Sequence, residues 1–279
     1  MSPSMVVPTM RPLLLPVVAA LALAGAPANG AAPDPVWALG PTDPELQARV
    51  GGGWDSGFIP DFRASERDRR AAWGAVTWTP APMVSAWLQG GLAWDRAPAG
   101  MTWTAPTTLT VGTRLRPLAP ARSGAPARLA PVDLGLSWWA GLPLSADRGA
   151  VDSDETDLSF SLEVGRALGP LRLDGALGLA ILGNPLRLAN QDDQPLVGLV
   201  AAWAPAPAAR WPIEVHARGG GSLRTPRNPA RTEAAVGLEL ACPLALGLEA
   251  GAGLSPAAPD LLLRAWLGRV RACRGGARD

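Results

Sequence analysis

The sequence lacks lysine and tyrosine, and it has only 3 phenylalanines, 2 cysteines and 1 histidine among its 279 residues. All 25 basic residues are therefore arginines, and with 24 acidic residues they give a net charge of +1. That balance does not suggest a nucleic-acid surface or a polyanionic tail, so no nucleic-acid partner is expected. The 12 tryptophans are interpreted as filling the places that tyrosine usually takes.

Long apolar runs are also missing from most of the chain. After residue 24, no stretch of ~18 apolar residues is free of proline, glycine or charge, which excludes transmembrane helices. Hydrophobic residues nevertheless make up 48% of the sequence, so they must be distributed in short pieces. The 32 glycines and 30 prolines fall between and within alternating segments, which favours a many-turned β protein over disorder.

The first residues have the layout of a secretory signal. Arg11 precedes an apolar stretch over 13–24, and Ala26-Pro27-Ala28 satisfies the small-x-small cleavage pattern, with a cut near Ala32 as an alternative. The other interpretation is an uncleaved anchor, but the run is shorter than the ~20 residues that span a bilayer. We therefore predict a cleaved signal peptide over 1–30.

Period-two alternation recurs at intervals of about 20 residues through the rest of the chain. Leu158, Phe160, Leu162 and Val164 alternate with polar or small residues, and the run over 171–181 repeats the pattern after Gly169-Pro170. A helix could not keep such faces apart, because its apolar positions recur at three and four. The two runs are predicted to form a hairpin with a tight turn.

Taken together, these runs predict an all-β protein, a transmembrane antiparallel up-and-down β-barrel of about 12 strands. The predicted strands cover 46–55, 71–79, 83–94, 107–116, 131–140, 156–166, 170–182, 195–204, 210–220, 231–241, 243–254 and 260–270. The predicted organisation is a signal peptide (1–30), an N-terminal periplasmic segment (31–45), an outer-membrane barrel (46–270) and a periplasmic tail (271–279). Longer polar joints, such as the one from Asp95 to Pro106, are expected to alternate with short turns.

The two faces of the predicted strands differ in chemistry. Leucine and valine occupy one face, which has no protein layer to cover it and is expected to contact outer-membrane lipid. The opposite face is expected to line a water-containing lumen, because burying unpaired charges in a dry core costs several kcal/mol each. The predicted lumen-lining residues are Arg114, Asp133, Glu163, Arg172, Asp174, Glu214, His216, Arg218, Glu233, Glu239, Glu249 and Arg264. Twelve strands predict a narrow or partly plugged pore.

Tryptophans near the predicted strand ends suggest aromatic girdles at the two membrane interfaces. They are Trp54, Trp73, Trp78, Trp94, Trp103, Trp138, Trp203 and Trp211. The alternative is that they are core tryptophans of a soluble sandwich.

The closing hairpin, from Gly251-Ala252-Gly253-Leu254 through Ala258-Pro259-Asp260 to an apolar strand ending at Gly268, resembles a known family. It is similar to the closing hairpin of the bacterial outer-membrane proteins named for the MetA pathway of phenol degradation. The likeness covers about twenty residues, roughly 251–270. It implies an envelope β-barrel that transports hydrophobic or aromatic compounds. The chain departs from the usual ending, because residues 271–279 follow the last strand and no terminal aromatic residue closes it.

Other candidate sites each have two interpretations. Cys242 and Cys273 are both expected on the oxidising periplasmic side, where they either form a disulfide or remain thiols too far apart to pair. His216 is either a general base or part of a charge cluster, and the absence of a serine–histidine–acid set favours the cluster. Asp152, Asp154, Glu155 and Asp157 lack EF-hand spacing and are interpreted as a solvated loop rather than a calcium site.

The leading functional hypothesis is a passive conduit for a small solute rather than an enzyme, with no metal and no cofactor. A non-conducting structural or surface barrel and a membrane-embedded lipid-modifying enzyme remain as alternatives. A soluble periplasmic β-sandwich is the main structural rival. The sequence leaves the oligomeric state open.

Overall fold

A computed structural model describes residues 45–58, 67–81, 83–118, 132–144, 156–182, 192–204, 213–225, 230–241 and 244–269. Within these ranges, no helix is long and apolar enough to cross a membrane. The signal segment, nearly all of the predicted N-terminal periplasmic segment, and the 271–279 tail lie outside the described residues.

Regular structure in the described ranges consists of β-strands. The strands are β1 (Glu45–Phe58), β2 (Arg67–Ala81), β3 (Val84–Arg96), β4 (Thr102–Pro106), β5 (Leu109–Leu118), β6 (Asp133–Leu142), β7 (Asp157–Leu168), β8 (Leu171–Leu182), β9 (Asp192–Trp203), β10 (Ile213–Ser222), β11 (Arg231–Ala241), β12 (Leu244–Gly253) and β13 (Leu261–Arg269).

The strands close into an antiparallel barrel with twelve positions. Consecutive strands pair with each other, and β1 pairs with β13 as well as with β2, which closes the sheet on itself. β4 and β5 share one position, because both pair with β3. The all-β, twelve-stranded barrel predicted from the sequence is therefore confirmed, and closure leaves no exposed sheet edge.

The division between β4 and β5 is a local irregularity in one long strand. The backbone N–H of Thr107 donates to the carbonyl of Gly91 at 2.8 Å, so pairing with β3 continues across the break. The buried positions nevertheless change from odd numbers, at Ala105 and Thr107, to even numbers, at Thr110 and Gly112. One extra residue in a strand has this effect on the alternation and is the signature of a β-bulge.

The long joint predicted from Asp95 to Pro106 is wrong. β3 continues to Arg96, and a tight turn over 97–101 leads directly into β4. In this turn, Ala97 N donates to Met101 O and Gly100 N donates to Ala97 O, both at 2.9 Å. Gly100 has a φ of 83°, a conformation that glycine adopts without steric cost.

The barrel has two different ends. We call the end where β1 begins and β13 finishes the turn end, because it also carries the two-residue connection Gly169-Pro170. The opposite end is the loop end. β8 has 12 residues, which at about 3.3 Å per residue and a tilt of about 40° span roughly 30 Å between the ends.

The outward face of the barrel is apolar over the middle of the strands. Leu136, Leu162, Leu177, Leu199 and Leu248 are among its exposed side chains. The charged outward side chains described in strands lie near strand ends: Asp68, Arg70, Arg96, Arg166 and Asp193. An apolar outward face of this height and composition matches the apolar band of an outer-membrane barrel.

The tryptophan girdle prediction holds for some rings and fails for others. Trp54 and Trp94 are exposed on the outward face near the loop end, while Trp78 and Trp203 are exposed near the turn end. Trp138 is also outward. Trp73 and Trp103 instead belong to the inward-facing set of their strands, because strand parity rather than closeness to a strand end decides which face a side chain occupies. Trp211 lies outside the described residues.

Candidate functional site

The candidate site is the inward face of the barrel, where charged side chains meet. All twelve residues named from the sequence as lumen-lining belong to the inward-facing set of their strands, and all are buried or half-buried. Eleven of them, His216 among them, form ion pairs or hydrogen bonds with other inward residues. The twelfth is Glu214, whose carboxylate has no such partner among the described residues. The pairs fall into clusters on different sectors of the wall.

The first cluster joins β5, β6, β7 and β8. The guanidinium of Arg114 lies 2.7 Å from the Glu163 carboxylate, although β6 runs between their strands. Ser137 of β6 donates a hydrogen bond to the same carboxylate at 2.9 Å. The Asp133 carboxylate accepts from Arg116 and, at 3.2 Å, from Arg172.

Arg172 also ties this cluster together along its own strand. Its Nε donates to Asp174 at 2.9 Å, while one terminal nitrogen reaches Asp133. Three arginines and three carboxylates thus share one sector of the wall, so the cluster is electrically balanced. Such mutual pairing lowers the desolvation cost of placing six charges inside a barrel.

The second cluster centres on Glu249 of β12. Arg218 of β10 donates two hydrogen bonds to this carboxylate, at 2.9 and 2.7 Å, and Arg264 of β13 donates one at 3.4 Å. His216 lies 3.3 Å from it. Arg218 also donates to Glu233 at 2.8 Å. Glu249 therefore accepts hydrogen bonds from β10 on one side of its strand and from β13 on the other.

A third contact crosses a wider part of the wall. Arg49 of β1 donates to Glu239 of β11 at 3.0 Å, although β12 and β13 lie between these strands. The other oxygen of Glu239 accepts a hydrogen bond from Trp266 Nε1 at 3.2 Å. Only side chains that project into the enclosed space of a curved sheet can meet across two intervening strands, so this contact identifies the inward face.

Sequence reasoning missed a cluster at the loop end. Arg69 makes a bidentate pair with Asp95 at 2.6 and 2.7 Å, and both side chains are almost completely buried. Arg67 reaches the same carboxylate at 3.4 Å and lies 4.2 Å above the ring of Trp103. These residues fall outside the predicted strands or inside a predicted loop, so continuing the alternation a few residues further would have found them.

Arg116, Asp55 and Arg49 were also missed. Arg116 follows Arg114 with the same parity, and Asp55 and Arg49 share the parity of the other inward residues of β1. Asp55 lies 4.0 Å from Arg264. Their sequence signal was their parity, since each of them alternates in step with the other inward residues of its strand.

Aromatic rings on the inward face lie against glycines of neighbouring strands. A Cβ atom at Gly247 would overlap the ring of Trp266, and one at Gly112 would overlap that of Trp87. Gly51 is related in the same way to Trp73. Glycine leaves room for the ring to lie close to the backbone of the next strand, so these indoles lie along the wall.

The closing hairpin is held in place by defined hydrogen bonds at the loop end. The hydroxyl of Ser255 accepts from Thr232 N at 2.9 Å and donates to Ala230 O at 2.8 Å. Asp260 N donates to Ser56 O at 2.7 Å, which ties the hairpin to β1. The hairpin is therefore anchored on both sides, and Ala257 and Ala258 within it are buried.

The remaining candidate sites have mixed outcomes. The contact of His216 with Glu249 and its tilted packing beside Trp266, with ring centroids 6.2 Å apart, place it in a charge cluster. Cys242 and Cys273 lie outside the described residues, and their disulfide stays a prediction. Asp152, Asp154 and Glu155 also lie outside them. Among the described residues, no group of His, Cys, Asp and Glu is arranged to hold a metal ion.

A solved structure with a similar backbone supports the fold class. An outer membrane channel from Pseudomonas putida aligns with a TM-score of 0.58 and 12% identity, over 81% of this chain and 95% of that one. This chain has the fold of an outer-membrane β-barrel. The β domain of the Bordetella autotransporter BrkA aligns less well, with a TM-score of 0.48 and 15% identity over 82% of this chain and 100% of that one.

Comparisons of sequence add no family. No protein-family model matches the chain. No curated protein matches it either. The assignment therefore rests on the backbone, and it concerns the fold.

Proposed function

We propose that the protein resides in the bacterial outer membrane and conducts small water-soluble solutes through its barrel. One observation carries this proposal: charged side chains of both signs fill the inward face and pair between strands that are not neighbours, while leucines cover the outward face. The outer-membrane fold supports the location, and outer-membrane lipid is the partner that the apolar band fits.

The inward chemistry favours polar cargo. Arginines and carboxylates facing each other can replace part of the hydration shell of a small polar solute by hydrogen bonding with it. A hydrophobic solute would have to displace water from these groups without satisfying them. Pairs such as Arg172 with Asp133 and Arg49 with Glu239 include arginines that keep 26% and 34% of their side-chain surface accessible, so they are available to a passing solute.

The resemblance of the closing hairpin to the phenol-degradation family suggests hydrophobic or aromatic cargo instead. Inward indoles such as Trp266 and Trp87, which lie along the wall, are the feature that favours this second candidate. The proposal includes no catalytic role for His216, since its contact with the Glu249 carboxylate fits a structural ion cluster.

The test is conductance of the purified protein in a planar lipid bilayer. We expect discrete current steps whose size rises when the loop-end cluster is made smaller, as in Trp103→Ala, because this ring belongs to the inward face and packs against Arg67 there. Trp94→Ala is the matched control: Trp94 is close in sequence but outward, so its removal should leave the step size unchanged.

Other results would refute the proposal. A folded barrel that gives no current steps would favour the non-conducting structural or surface barrel. Hydrolysis of outer-membrane lipids that is lost in His216→Ala would instead favour the enzyme. Transport of aromatic compounds without transport of polar solutes of similar size would support the cargo that the family resemblance implies.

A further inference from the structure

The inward face carries an excess of one negative charge among the side chains that the structure describes. The arginines are Arg49, Arg67, Arg69, Arg114, Arg116, Arg172, Arg218, Arg231 and Arg264. The carboxylates are Asp55, Asp95, Asp133, Asp157, Glu163, Asp174, Glu214, Glu233, Glu239 and Glu249. The wall is therefore nearly balanced, and the position of the extra carboxylate matters for any ion that passes.

Glu214 is an inward carboxylate that stands apart from the ion pairs described above. The ionisable side chains around it are Glu239, His216, Arg49 and Arg172. Among the described residues, the structure gives its carboxylate no ion-pair or hydrogen-bond partner. Its side chain is half-buried near the start of β10, at the turn end of the barrel.

The basic side chains around Glu214 make their direct contacts with other carboxylates. Arg49 donates to Glu239 at 3.0 Å, and the second oxygen of Glu239 is held by the indole N–H of Trp266. His216 contacts Glu249 at 3.3 Å. Arg172 is bound to Asp174 at 2.9 Å and also to Asp133 at 3.2 Å. Arg49 and Arg172 therefore make their direct ion pairs with other carboxylates and not with Glu214.

The strand register places a second carboxylate beside Glu214. Glu214 lies directly opposite Glu239 in the β10–β11 ladder, so two carboxylates stand side by side on the same face. Directly opposed like charges destabilise a sheet. A position that costs stability and has no partner among the described residues is poorly explained by folding alone, whereas a carboxylate beside a water-filled path attracts cations.

We infer that Glu214 makes the conduit selective for cations at its turn end. This inference rests on the proposed function, because selectivity requires conduction. In water, a unit negative charge on the order of 8 Å from an ion raises the local concentration of monovalent cations and lowers that of monovalent anions by similar factors. The two factors together give about a fivefold preference for cations at low salt.

The test is the reversal potential of the full-length protein in a planar bilayer, with a KCl gradient at neutral pH and low ionic strength. We expect the wild type to prefer K⁺ over Cl⁻ about fivefold. Glu214→Gln should bring the ratio close to one, and Glu214→Arg should invert it. Asp193→Asn is the matched control, since it removes the same charge from an exposed outward position at the other end of the barrel.

Folding is checked for every variant by heat-modifiable gel migration. Glu214→Gln removes a charge directly opposite Glu239 and breaks no hydrogen bond to the part of the chain that the structure describes, so it should fold as the wild type does. A conducting wild type without cation preference, or a Glu214→Gln variant that keeps the full preference, overturns the role of Glu214 and leaves the conduit intact. Absence of current in all the proteins overturns the conduit and the selectivity together.

Discussion

A charge placed on the outward face at mid-height tests whether that face contacts hydrocarbon. Leu177 lies in the middle of β8 and is 66% exposed. In a soluble protein, an exposed substitution of this kind changes stability by about 0.5 kcal/mol or less. On the lipid face of a barrel near the bilayer midplane, arginine costs about 2–4 kcal/mol.

The expected result is therefore a loss of about 3 kcal/mol for Leu177→Arg, or a more than hundredfold change in the unfolding equilibrium. Leu254→Arg provides the matched control. Leu254 is 67% exposed, but it lies beyond the end of β12, in the loop-end connection, where arginine is expected to cost about 0–1 kcal/mol. Equal exposure removes the difference in packing, so the comparison isolates the surroundings of the side chain.

The assay is equilibrium unfolding by guanidinium chloride in lipid vesicles, followed by tryptophan fluorescence. The 12 tryptophans give a strong signal, and five of those in described strands face outward. The reasoning would be refuted if the two variants lost the same stability to within about 1 kcal/mol, because the outward face would then not be in contact with hydrocarbon.

Three further predictions concern the interior and the closing hairpin. Asp95→Asn should cost about 3–5 kcal/mol in vesicle unfolding, because it leaves Arg69 charged and buried, and adding Arg69→Met should recover part of the loss. Gly247→Val should lower stability by about 1–3 kcal/mol through overlap with Trp266, and full stability with the ring still in place would contradict the ring-on-glycine packing. Ser255→Ala should cost about 1 kcal/mol, measured by the same unfolding, since two half-buried backbone partners lose their hydroxyl; an unchanged midpoint would argue against the anchored hairpin.

The sequence predicted the strands and their faces well, for a simple physical reason. Successive side chains of a strand point to opposite sides, so alternation of leucine with charge assigns both faces at once. The β7–β8 hairpin over 157–182 was located by this rule, with Gly169-Pro170 as its turn. Antiparallel pairing of sequential strands then follows from the short connections.

Several features of the site were beyond this rule. The register of each strand pair decides which inward charges come within reach, and curvature of the closed sheet decides which meet across intervening strands. The contact between Arg49 and Glu239, and that between Arg114 and Glu163, depend on both. The bulge at Thr107–Thr108 changes the parity of one strand, and a pattern that assumes regular alternation does not see it.

By itself, then, the sequence determined that leucines face outward and charges face inward on about twelve strands, because that outcome depends only on the two-residue period of an extended backbone. The tertiary structure alone decided which charge is paired with which. It placed Glu214 opposite another carboxylate, with its neighbouring cations engaged elsewhere, and it turned Trp73 and Trp103 inward. Those outcomes depend on register, closure and a single extra residue, which bring together atoms that are far apart along the chain.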